Sequence, residues 1–191
     1  MATPRIVALT APSGAGKTTV AQRVLSLVAG LSFSVSATTR PPRDGERDGV
    51  DYHFVSENDF RRMLDGDLLI ESEEVYPDLF YGTPRAEVEK ATRDQPVLLD
   101  IDVLGALRIS KLYRDDTLTV FIRPPSMDVL RNRLLGRGSE GTESLGKRLR
   151  RVQFEMEHAD RFDAVVVNDD LERAVAETVS LINAFLERQS T

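Results

Sequence analysis

The chain contains no cysteine among its 191 residues. This absence excludes disulfide bridges and thiolate metal sites, and it suits a reducing compartment. Only two histidines are present, His53 and His158, and their separation in the sequence does not favour a transition-metal site. No apolar run approaches the roughly 20 residues that a membrane-spanning helix needs, and residues 1–5 show no signal-peptide pattern. We therefore expect a cytoplasmic protein that does not insert into a membrane.

Positive charge is also in short supply. The chain has 25 lysine and arginine residues against 31 aspartate and glutamate residues, a formal net charge of −6. This balance argues against general affinity for nucleic acid or for an anionic membrane surface, so any anion site must be a local concentration of basic side chains. Hydrophobic residues make up 41% and charged residues 29%, as in ordinary soluble domains. The composition does not indicate an oligomeric state.

Apolar runs rich in β-forming residues alternate along the chain with segments of helical periodicity. The runs predict buried strands at 5–10, 96–102, 118–122 and 164–167. Helices are predicted from about 17 to 30, through 104–112, after the N-cap Ser126, and after a capping box of Asp169 and Glu172. Strands that alternate with helices indicate an α/β fold, in which a central parallel sheet has helices on both faces.

Two polar stretches interrupt this alternation. Residues 36–85 contain strand-like segments at 52–55 and 68–71, with a short helix capped by Ser56 between them. We interpret this stretch as an inserted, mixed α+β subdomain that binds a substrate. The predicted division is a core domain of 1–35 with 86–191, and an insert of 36–85. The second stretch, 137–145, separates two basic helical segments and is predicted to be mobile.

A loop typical of nucleoside triphosphate sites follows the first predicted strand. Its glycines, Gly14 and Gly16, allow backbone N–H groups to approach phosphate oxygens, and the next helix adds its N-terminal partial positive charge. Lys17 would bridge the β- and γ-phosphates. Ala11 stands where the usual motif has glycine, and a chance Gly-Lys-Thr in an ordinary strand–turn–helix connection is the alternative. The predicted ATP-binding residues are Ala11, Pro12, Ser13, Gly14, Ala15, Gly16, Lys17, Thr18 and Thr19.

Two aspartates near the end of the second buried run predict a magnesium site. Side chains two apart on a strand share a face, so Asp100 and Asp102 would both face the crevice at the carboxyl edge of the sheet. We expect Asp100 to hold Mg²⁺ through water and the Thr18 hydroxyl to bind it directly. The alternative is that an aspartate simply caps the following helix. This explanation suits Asp102, but it does not easily account for both aspartates.

The polar insert carries the residue types that an acceptor phosphate needs. Arg40 and Arg43 lie three residues apart on a loop stiffened by two prolines. Forked guanidinium groups suit a dianionic monophosphate better than lysines would. Tyr52, Glu71 and the segment 81–85 follow in order. Taken singly, each of these has an ordinary alternative, because arginines are usually solvated and tyrosines usually pack.

Taken together, these segments resemble guanylate kinase along the whole chain. The resemblance rests on Ser-Ala-Thr-Thr-Arg-Pro-Pro-Arg at 36–43, Asp-Tyr-His-Phe-Val at 51–55 and Tyr-Gly-Thr at 81–83. It implies a P-loop NTPase fold with a GMP-binding lobe and a mobile lid. The implied GMP-binding residues are Ser36, Arg40, Arg43, Tyr52, Glu71, Tyr81, Gly82, Thr83 and Asp102. The segment 76–80 looks about one residue longer than the family's Gly-Asn turn, which affects the placement of Tyr81.

The resemblance assigns the guanine to Ser36, Glu71 and Thr83, and the phosphate to the two arginines and two tyrosines of the set. Guanine presents N1–H and N2–H₂ as adjacent donors, which one carboxylate can accept together. Adenine has a bare N1 acceptor there, so Glu71 would lose its hydrogen bonds and face a lone pair. Unpaired buried polar groups discriminate strongly.

The resemblance also implies a lid at about 137–148, whose arginines Arg137 and Arg148 close over the phosphates. Four further arginines on the flanking helical segments are equally basic, and we expect them to be solvated: Arg131, Arg133, Arg150 and Arg151. The groups expected to act in catalysis are Lys17, Arg40, Arg137 and Arg148, together with Mg²⁺ as the cofactor.

The predicted reaction transfers the γ-phosphoryl group of ATP to GMP, and to dGMP, giving ADP and GDP in purine nucleotide metabolism. The partners are these small substrates. Another P-loop kinase with a phosphorylated acceptor, such as a ribose bisphosphate kinase, would not need Ser36, Glu71 and Thr83. A catalytically dead binding module would typically lose Lys17. A regulatory GTPase is disfavoured because the Asn-Lys-x-Asp guanine motif does not occur.

Overall fold

The structure is a computed structural model and describes residues 4–76, 78–92, 94–136 and 142–188. The strands are β1 (Ile6–Thr10), β2 (Ser32–Phe33), β3 (Ala37–Thr38), β4 (His53–Phe54), β5 (Leu69–Tyr76), β6 (Leu79–Pro84), β7 (Val97–Asp100), β8 (Thr117–Arg123) and β9 (Ala164–Val167). The α-helices are α1 (Lys17–Leu27), α2 (Glu57–Asp65), α3 (Arg85–Glu89), α4 (Val103–Tyr113), α5 (Met127–Gly136), α6 (Thr142–Glu157) and α7 (Leu171–Glu187).

Five strands form the parallel sheet that the alternation predicted, in the order β2-β7-β1-β8-β9. The chain adds β2 and β7 on one side of β1 and then crosses to add β8 and β9 on the other. The carboxyl end of β1 is therefore a topological switch point, where open α/β sheets bind their ligands. The loop that begins at Ala11 leaves the sheet at this point.

Both faces of this sheet are buried, as the uninterrupted apolar strands predicted. Along β1, Val7 and Leu9 point into a cluster shared with α1 and α7. Ile6 and Ala8 point to the opposite face and pack in a second cluster with α4. The period of two in a strand thus divides one short run between two halves of the core. The rigid sheet that results fixes the positions of the loops at its carboxyl edge.

A second sheet of four strands lies wholly within the predicted insert, in the order β4-β3-β6-β5. It is mixed, with β3 parallel to β4 and antiparallel to β6. Its own core is small: Ala37, Phe60 and Leu69 are buried together, and the Phe60 ring stacks on Phe80 at 5.5 Å. Ser56 caps α2 by accepting from the backbone N–H of Asp59, as predicted. The boundaries 36–85 stay a prediction.

Three details of the helices differ from the predictions. Helix α1 ends at Leu27 instead of near residue 30. Helix α7 is capped by Asp170, which accepts from the N–H of Arg173, so the predicted cap at Asp169 is one residue early. Leu104 and Leu112 of α4 are 45% and 58% exposed, because Val103, Ala106 and Ile109 form the buried face of that helix. Within the described ranges, no helix has the length and apolarity needed to cross a membrane.

Candidate active site

One cavity of about 300 Å³ lies at the carboxyl edge of the parallel sheet and extends to the insert. Its lining joins the two groups of residues that the sequence placed in separate roles. The loop contributes Lys17 and Thr18, and the insert contributes Glu71 and Tyr81. A molecule bound in one half is therefore adjacent to a molecule in the other. This is the arrangement that direct transfer of a group between two substrates requires.

The loop between β1 and α1 owes its shape to two glycines in the left-handed region. Gly14 has φ of 87° and Gly16 has φ of 94°, conformations that side chains with a Cβ rarely adopt. The N–H of Ala15 closes the turn by donating to the carbonyl of Pro12 at 3.0 Å. Helix α1 starts at Lys17, so its N-terminal N–H groups and partial positive charge lie at the cavity wall.

Asn168 holds this loop from behind, and the sequence analysis gave it no role. Its side-chain amide donates to the carbonyl of Ala15 at 2.7 Å, and the residue is buried. A Cβ on Gly16 would lie 2.5 Å from the same amide nitrogen, so the close contact also requires glycine. Ala11, by contrast, is not in the left-handed region and is buried at the edge of the core. Alanine therefore fits where the usual motif has its first glycine.

Lys17 is held by the end of β7. Its Nζ lies 2.5 Å from Oδ1 of Asp100 and donates to the carbonyl of Ile101 at 3.0 Å. Burial disfavours the charged ammonium, but the charge of Asp100 and its hydrogen bond outweigh this and raise the pKa of Lys17. The ammonium is thus fully charged and aimed across the mouth of the loop. Apart from this ion pair, Oδ1 of Asp100 has no partner in the described part of the chain.

The same carboxylate and the Thr18 hydroxyl are the oxygen ligands that a magnesium site would use. Both residues line the cavity. Among the described residues there is no group of three or more His, Cys, Asp or Glu side chains that could hold a metal alone. Mg²⁺ in phosphoryl-transfer sites is usually held by one or two protein ligands together with water and substrate phosphates. The sparse donor set therefore fits Mg²⁺ bound with a nucleotide and does not fit a dedicated protein cage.

Arg40 lies against Tyr52 and Tyr81, which line the acceptor half of the cavity (the half formed by residues of the insert), and it is already paired. Its guanidinium donates to both carboxylate oxygens of Glu46 at 2.8 Å and to the Tyr81 hydroxyl at 3.2 Å. Its Cζ lies over the Tyr52 ring at 5.3 Å and over Phe54 at 5.6 Å. The bond to Glu46, with smaller contributions from Tyr81, raises the pKa of Arg40 despite desolvation. The rings and Tyr81 thus present a fixed guanidinium fork.

Glu46 is a second residue that the sequence analysis missed. It accepts the bidentate pair from Arg40, and its Oε2 also accepts the backbone N–H of Arg43 at 2.7 Å. The bond with Arg40 holds the pKa of Glu46 below its ordinary value. A carboxylate bound in this way occupies the guanidinium face that a phosphate would use. The side chain of Arg43 itself is exposed to solvent.

Glu71 is buried at the base of the acceptor half. Its Oε1 accepts from the Thr83 hydroxyl at 2.5 Å, across the β5–β6 pair in which the two residues are in register. Burial raises the pKa of Glu71 to about 7, and the hydrogen bond from Thr83 opposes this shift only in part. Ser36 is buried and lines the same cavity with Gly82. The three predicted guanine-reading residues therefore line one cavity or contact each other.

Asp102 caps helix α4, which was the alternative predicted for this residue. Its Oδ1 accepts the N–H groups of Leu104 and Gly105 at 2.7 and 3.0 Å, so it caps α4. The residue also lines the cavity, and the cap fixes its carboxylate there. Gly105 is a third missed residue, because a Cβ there would lie 2.7 Å from Oε2 of Glu71 and 3.1 Å from Oδ2 of Asp102. A glycine inside a helix was the available signal.

The basic residues on α5, on α6 and between these helices differ in their surroundings. Arg137 lies outside the described residues. Arg148 lies on α6 and is half-buried. Arg131 and Arg150 are exposed, as expected. The prediction of solvated side chains is wrong for Arg133, which donates to the Asn168 carbonyl at 3.4 Å, and for Arg151, which pairs with two carboxylates.

Tyr81 is placed by an irregular hairpin. The β5–β6 pairing shifts register between Glu74 and Tyr76, and Asp78 adopts a left-handed φ of 63°. A longer turn is absorbed there, so Tyr81 pairs with Thr38 of β3 and its hydroxyl reaches Arg40. The Tyr81 hydroxyl therefore lies beside the guanidinium of Arg40, although the hairpin is irregular.

Comparisons with known proteins agree on one family. The sequence profile of the family described as guanylate kinase matches residues 3–185. A guanylate kinase from Salinibacter ruber is 60% identical over 181 residues, which cover 95% of this chain and 96% of the relative. A guanylate kinase from Chlorobium luteolum is 47% identical over 188 residues, covering 98% and 95%.

A solved structure gives the same result for the fold. The crystal structure of guanylate kinase from Anaplasma phagocytophilum superimposes with a TM-score of 0.81 at 33% identity. The match covers 98% of this chain and 89% of that chain. This likeness confirms the predicted P-loop NTPase fold. The family profile and the relatives show that the similarity to guanylate kinases also holds for the sequence. The chain belongs to the guanylate kinase family.

Proposed function

We propose that the cavity transfers the γ-phosphoryl group of ATP to GMP, giving ADP and GDP, and that dGMP is also accepted. The guanylate kinase family consists of ATP:GMP phosphotransferases, and this chain matches it over nearly its whole length. The observation that carries the assignment of the site is the single cavity. It joins the phosphate-binding loop to the buried Glu71, which is bonded by Thr83, and to Tyr81, whose hydroxyl is bonded by Arg40.

The donor half would hold ATP through the loop of residues 11–19. Backbone N–H groups at the start of α1 bind phosphate oxygens, and the Lys17 ammonium bridges the β- and γ-phosphates. To do so, Lys17 must exchange part of its contact with Asp100 for contact with phosphate. Because the two carboxylate oxygens of Asp100 are not both used by Lys17, the side chain keeps an acceptor for a second partner.

Mg²⁺ is the proposed cofactor, held by Thr18 and, through water, by Asp100. When bound, it would neutralise negative charge on the transferred phosphoryl group. The donor set supports this assignment, since it offers one hydroxyl and one carboxylate beside the phosphate loop.

The acceptor half would hold the phosphate of GMP between Arg40, Arg43, Tyr52 and Tyr81. Tyr81 and the ring contacts orient the guanidinium of Arg40 before the substrate arrives. GMP would displace Glu46 from this fork or share it, because both anions use the same donors. The acceptor phosphate is already ionised near neutral pH, so a strong general base is not needed. Catalysis then comes from positioning and charge compensation by Lys17, Arg40, Arg137 and Arg148.

Ser36, Glu71 and Thr83 would read the guanine, with Asp102 near the nucleoside. The Glu71 carboxylate accepts from N1–H and N2–H₂ of guanine while Thr83 keeps Oε1 oriented. AMP would leave this buried group unpaired, which costs about 1–3 kcal/mol for each unsatisfied partner. Closure of the lobe would expel water, because ATP would otherwise be hydrolysed. The partners are therefore two nucleotides, and the proposed compartment is the cytoplasm.

A coupled assay of ADP release with ATP and each of GMP, dGMP, AMP, CMP and UMP tests this assignment. Turnover with GMP and not with AMP is the expected result. A ribose bisphosphate is included as a further acceptor, and turnover with it in place of GMP would indicate another P-loop kinase. Binding of GMP without turnover would indicate a binding module, and it would contradict the role proposed for the intact loop.

A further inference from the structure

Arg151 connects the two halves of the molecule at the edge of the cavity. Its guanidinium donates to Oε1 of Glu73 at 2.8 Å and to the carbonyl of Val75 at 3.3 Å, both on β5 of the insert. Its Nε donates to Oε1 of Glu155 at 3.0 Å, one turn along its own helix. Two of these hydrogen bonds join α6 to β5, and the third, to Glu155, lies within α6. All three are charge-assisted, because the donor is a guanidinium.

The two elements that Arg151 joins carry residues with separate proposed roles. Glu71 lies two residues before Glu73 on β5, so both side chains are on the same face of the strand. Arg148 lies three residues before Arg151 on α6, which places the two on adjacent turns of one helix face. The guanine-reading strand and the helix of the lid arginine are thus joined through one guanidinium.

The cluster is set apart from ordinary surface ion pairs by its burial. The side chain of Arg151 is 24% exposed, that of Glu73 is 19% exposed and that of Glu155 is 8% exposed. Arg151 and Glu155 both line the cavity. Partly buried ion pairs with several hydrogen bonds are screened less by solvent than exposed pairs, and removal of one partner leaves the other uncompensated.

Arg151 is also the cation that this corner of the cavity needs. Oε2 of Glu73 and Oε2 of Glu155 are buried and have no hydrogen-bond partner among the described residues. Burial, followed by the neighbouring Asp102, raises the pKa of Glu73 to about 7, and burial raises the pKa of Glu155. Arg151 opposes both shifts. Without it, the carboxylates would repel one another and loosen the contact between helix and strand.

We propose that Arg151 is a positioning residue that couples recognition of the base by Glu71 to the placement of Arg148 over the phosphates. The proposal rests on the functions proposed above for Glu71 and Arg148. Guanine bound at Glu71 fixes β5, and through Glu73 and Arg151 it fixes α6. Among the described residues, the hydrogen bonds of Arg151 go to β5 and α6 and not to the phosphate loop or α1. ATP binding is therefore not part of the coupling.

The test is steady-state kinetics of Arg151→Gln, with Arg150→Gln as the matched control. Arg150 is the neighbouring arginine on the same helix and is exposed. We expect Arg151→Gln to raise the KM for GMP about tenfold and to lower kcat, with the KM for ATP unchanged. Arg150→Gln should leave all three constants near those of the parent protein. An equal rise in both KM values, or an unchanged KM for GMP in a folded variant, would overturn the proposal.

A double-mutant cycle with Glu73→Gln distinguishes coupling from a direct contact between Arg151 and substrate. Glu73→Gln removes the partner on β5, so Arg151→Gln in that background should change the KM for GMP by less than about twofold further. Independent effects that multiply would overturn the proposal.

Arg151→Lys serves if the glutamine variant does not fold. A lysine keeps the charge but lacks the planar guanidinium fork that reaches acceptors on both β5 and α6, so an intermediate KM for GMP is expected, and a KM equal to that of the parent would contradict the coupling.

Glu71→Gln, measured in parallel, separates failure of this inference from failure of the proposed site. If Glu71→Gln changes the preference for GMP over AMP while Arg151→Gln leaves the KM for GMP unchanged, the coupling is wrong and the site assignment stands. If Glu71→Gln leaves that preference unchanged, the assignment of the base to Glu71 fails, and the coupling proposal fails with it.

Discussion

The donor loop and the acceptor lobe solve the problem of binding a phosphate in different ways. In the loop, backbone conformation does most of the work: two left-handed glycines and the start of α1 aim N–H groups at the cavity. Lys17 and its partner Asp100 supply the charged groups. In the lobe, side chains dominate. Arg40 is paired with Glu46 and Glu71 with Thr83, and Glu73 is paired with Arg151 of α6.

This difference separates generality from specificity. A cradle of backbone N–H groups binds a triphosphate whatever the base, because every nucleotide presents the same phosphate oxygens. Paired side chains in the lobe must break or share existing bonds when a substrate enters. Only a ligand that replaces those bonds is accepted, and a wrong base leaves them unpaired. Substitutions in the loop should therefore affect all acceptors equally, and substitutions in the lobe should affect acceptors selectively.

The largest effect is expected for Lys17→Ala. Loss of the ammonium removes the positive charge that stabilises the phosphoryl group during transfer. We therefore expect kcat to fall roughly a thousandfold with every acceptor. Steady-state assays with GMP and dGMP measure it, and Lys111→Ala, an exposed lysine on α4, is the control. A loss confined to one acceptor would break the proposed contrast between loop and lobe.

Glu71→Gln should lower the preference for GMP over AMP, expressed as the ratio of kcat/KM values, about a hundredfold. The amide cannot accept from both guanine donors with the strength of a carboxylate, whereas Thr83 can still bond its oxygen. The KM for ATP is the internal control, because Glu71 belongs to the lobe. An unchanged ratio would mean that another group reads the base.

Gly105→Ala sharpens the same point without removing any polar group. The added methyl would lie 2.7 Å from Oε2 of Glu71, so the carboxylate must move away from its position. We expect the KM for GMP to rise about tenfold while the KM for ATP and the melting temperature change little. A melting temperature that falls in step with the loss of GMP binding would instead assign Gly105 to packing alone.

The smallest effect is a pH dependence of GMP binding. With a pKa of about 7, Glu71 gains a proton as the pH falls and must lose it to accept from guanine. The KM for GMP should therefore rise about threefold between pH 7.5 and pH 6.5. The phosphate of GMP also titrates near this range, so Glu71→Gln gives the background to subtract. A slope that is equal in the variant would assign the dependence to the phosphate.

The raised pKa of Glu71 also determines how the free energy of unfolding changes with pH. The folded state binds the Glu71 proton more tightly than the unfolded chain, whose carboxyl has a pKa of about 4.5. Between these values the folded state holds more protons, so the free energy of unfolding falls as the pH rises from about 4.5 to about 7. The lobe therefore gives up some stability at neutral pH in order to keep a buried carboxylate ready for guanine.

Much of the parallel sheet could be predicted because its strands are continuous apolar runs. β1, β7 and β9 fall within predicted segments, and β8 extends one residue beyond its predicted segment at each end. β2 and β3 have two residues each, which is too short for any periodicity to be visible. The exposure of Leu104 on α4 could not be predicted, because leucine is usually buried, whereas the buried face of this helix is formed by Val103, Ala106 and Ile109.

The candidate site also has a part that could be predicted from the sequence and a part that could not. The phosphate loop is contiguous, so its residues could be found together in the sequence. Arg151 acts through a distant partner, because it bonds Glu73 across 78 positions. Glu46 bonds Arg40 six positions away within a loop, where no helical or strand periodicity applies. Pattern and spacing report on neighbours along a helix or strand, and they do not report which distant charge meets which. Arg151 was therefore predicted to be solvated, as isolated arginines usually are.

The bond from Asn168 to the Ala15 carbonyl spans 153 positions of the chain. As the protein is synthesised, the first strand and the phosphate loop emerge early, but the residue that holds the loop from behind emerges near the end. Non-local contacts of this kind form late, after the intervening chain has collapsed around them. The ability to grip a triphosphate is thus a property of the finished protein, and a chain released before β9 would expose the loop without being able to use it.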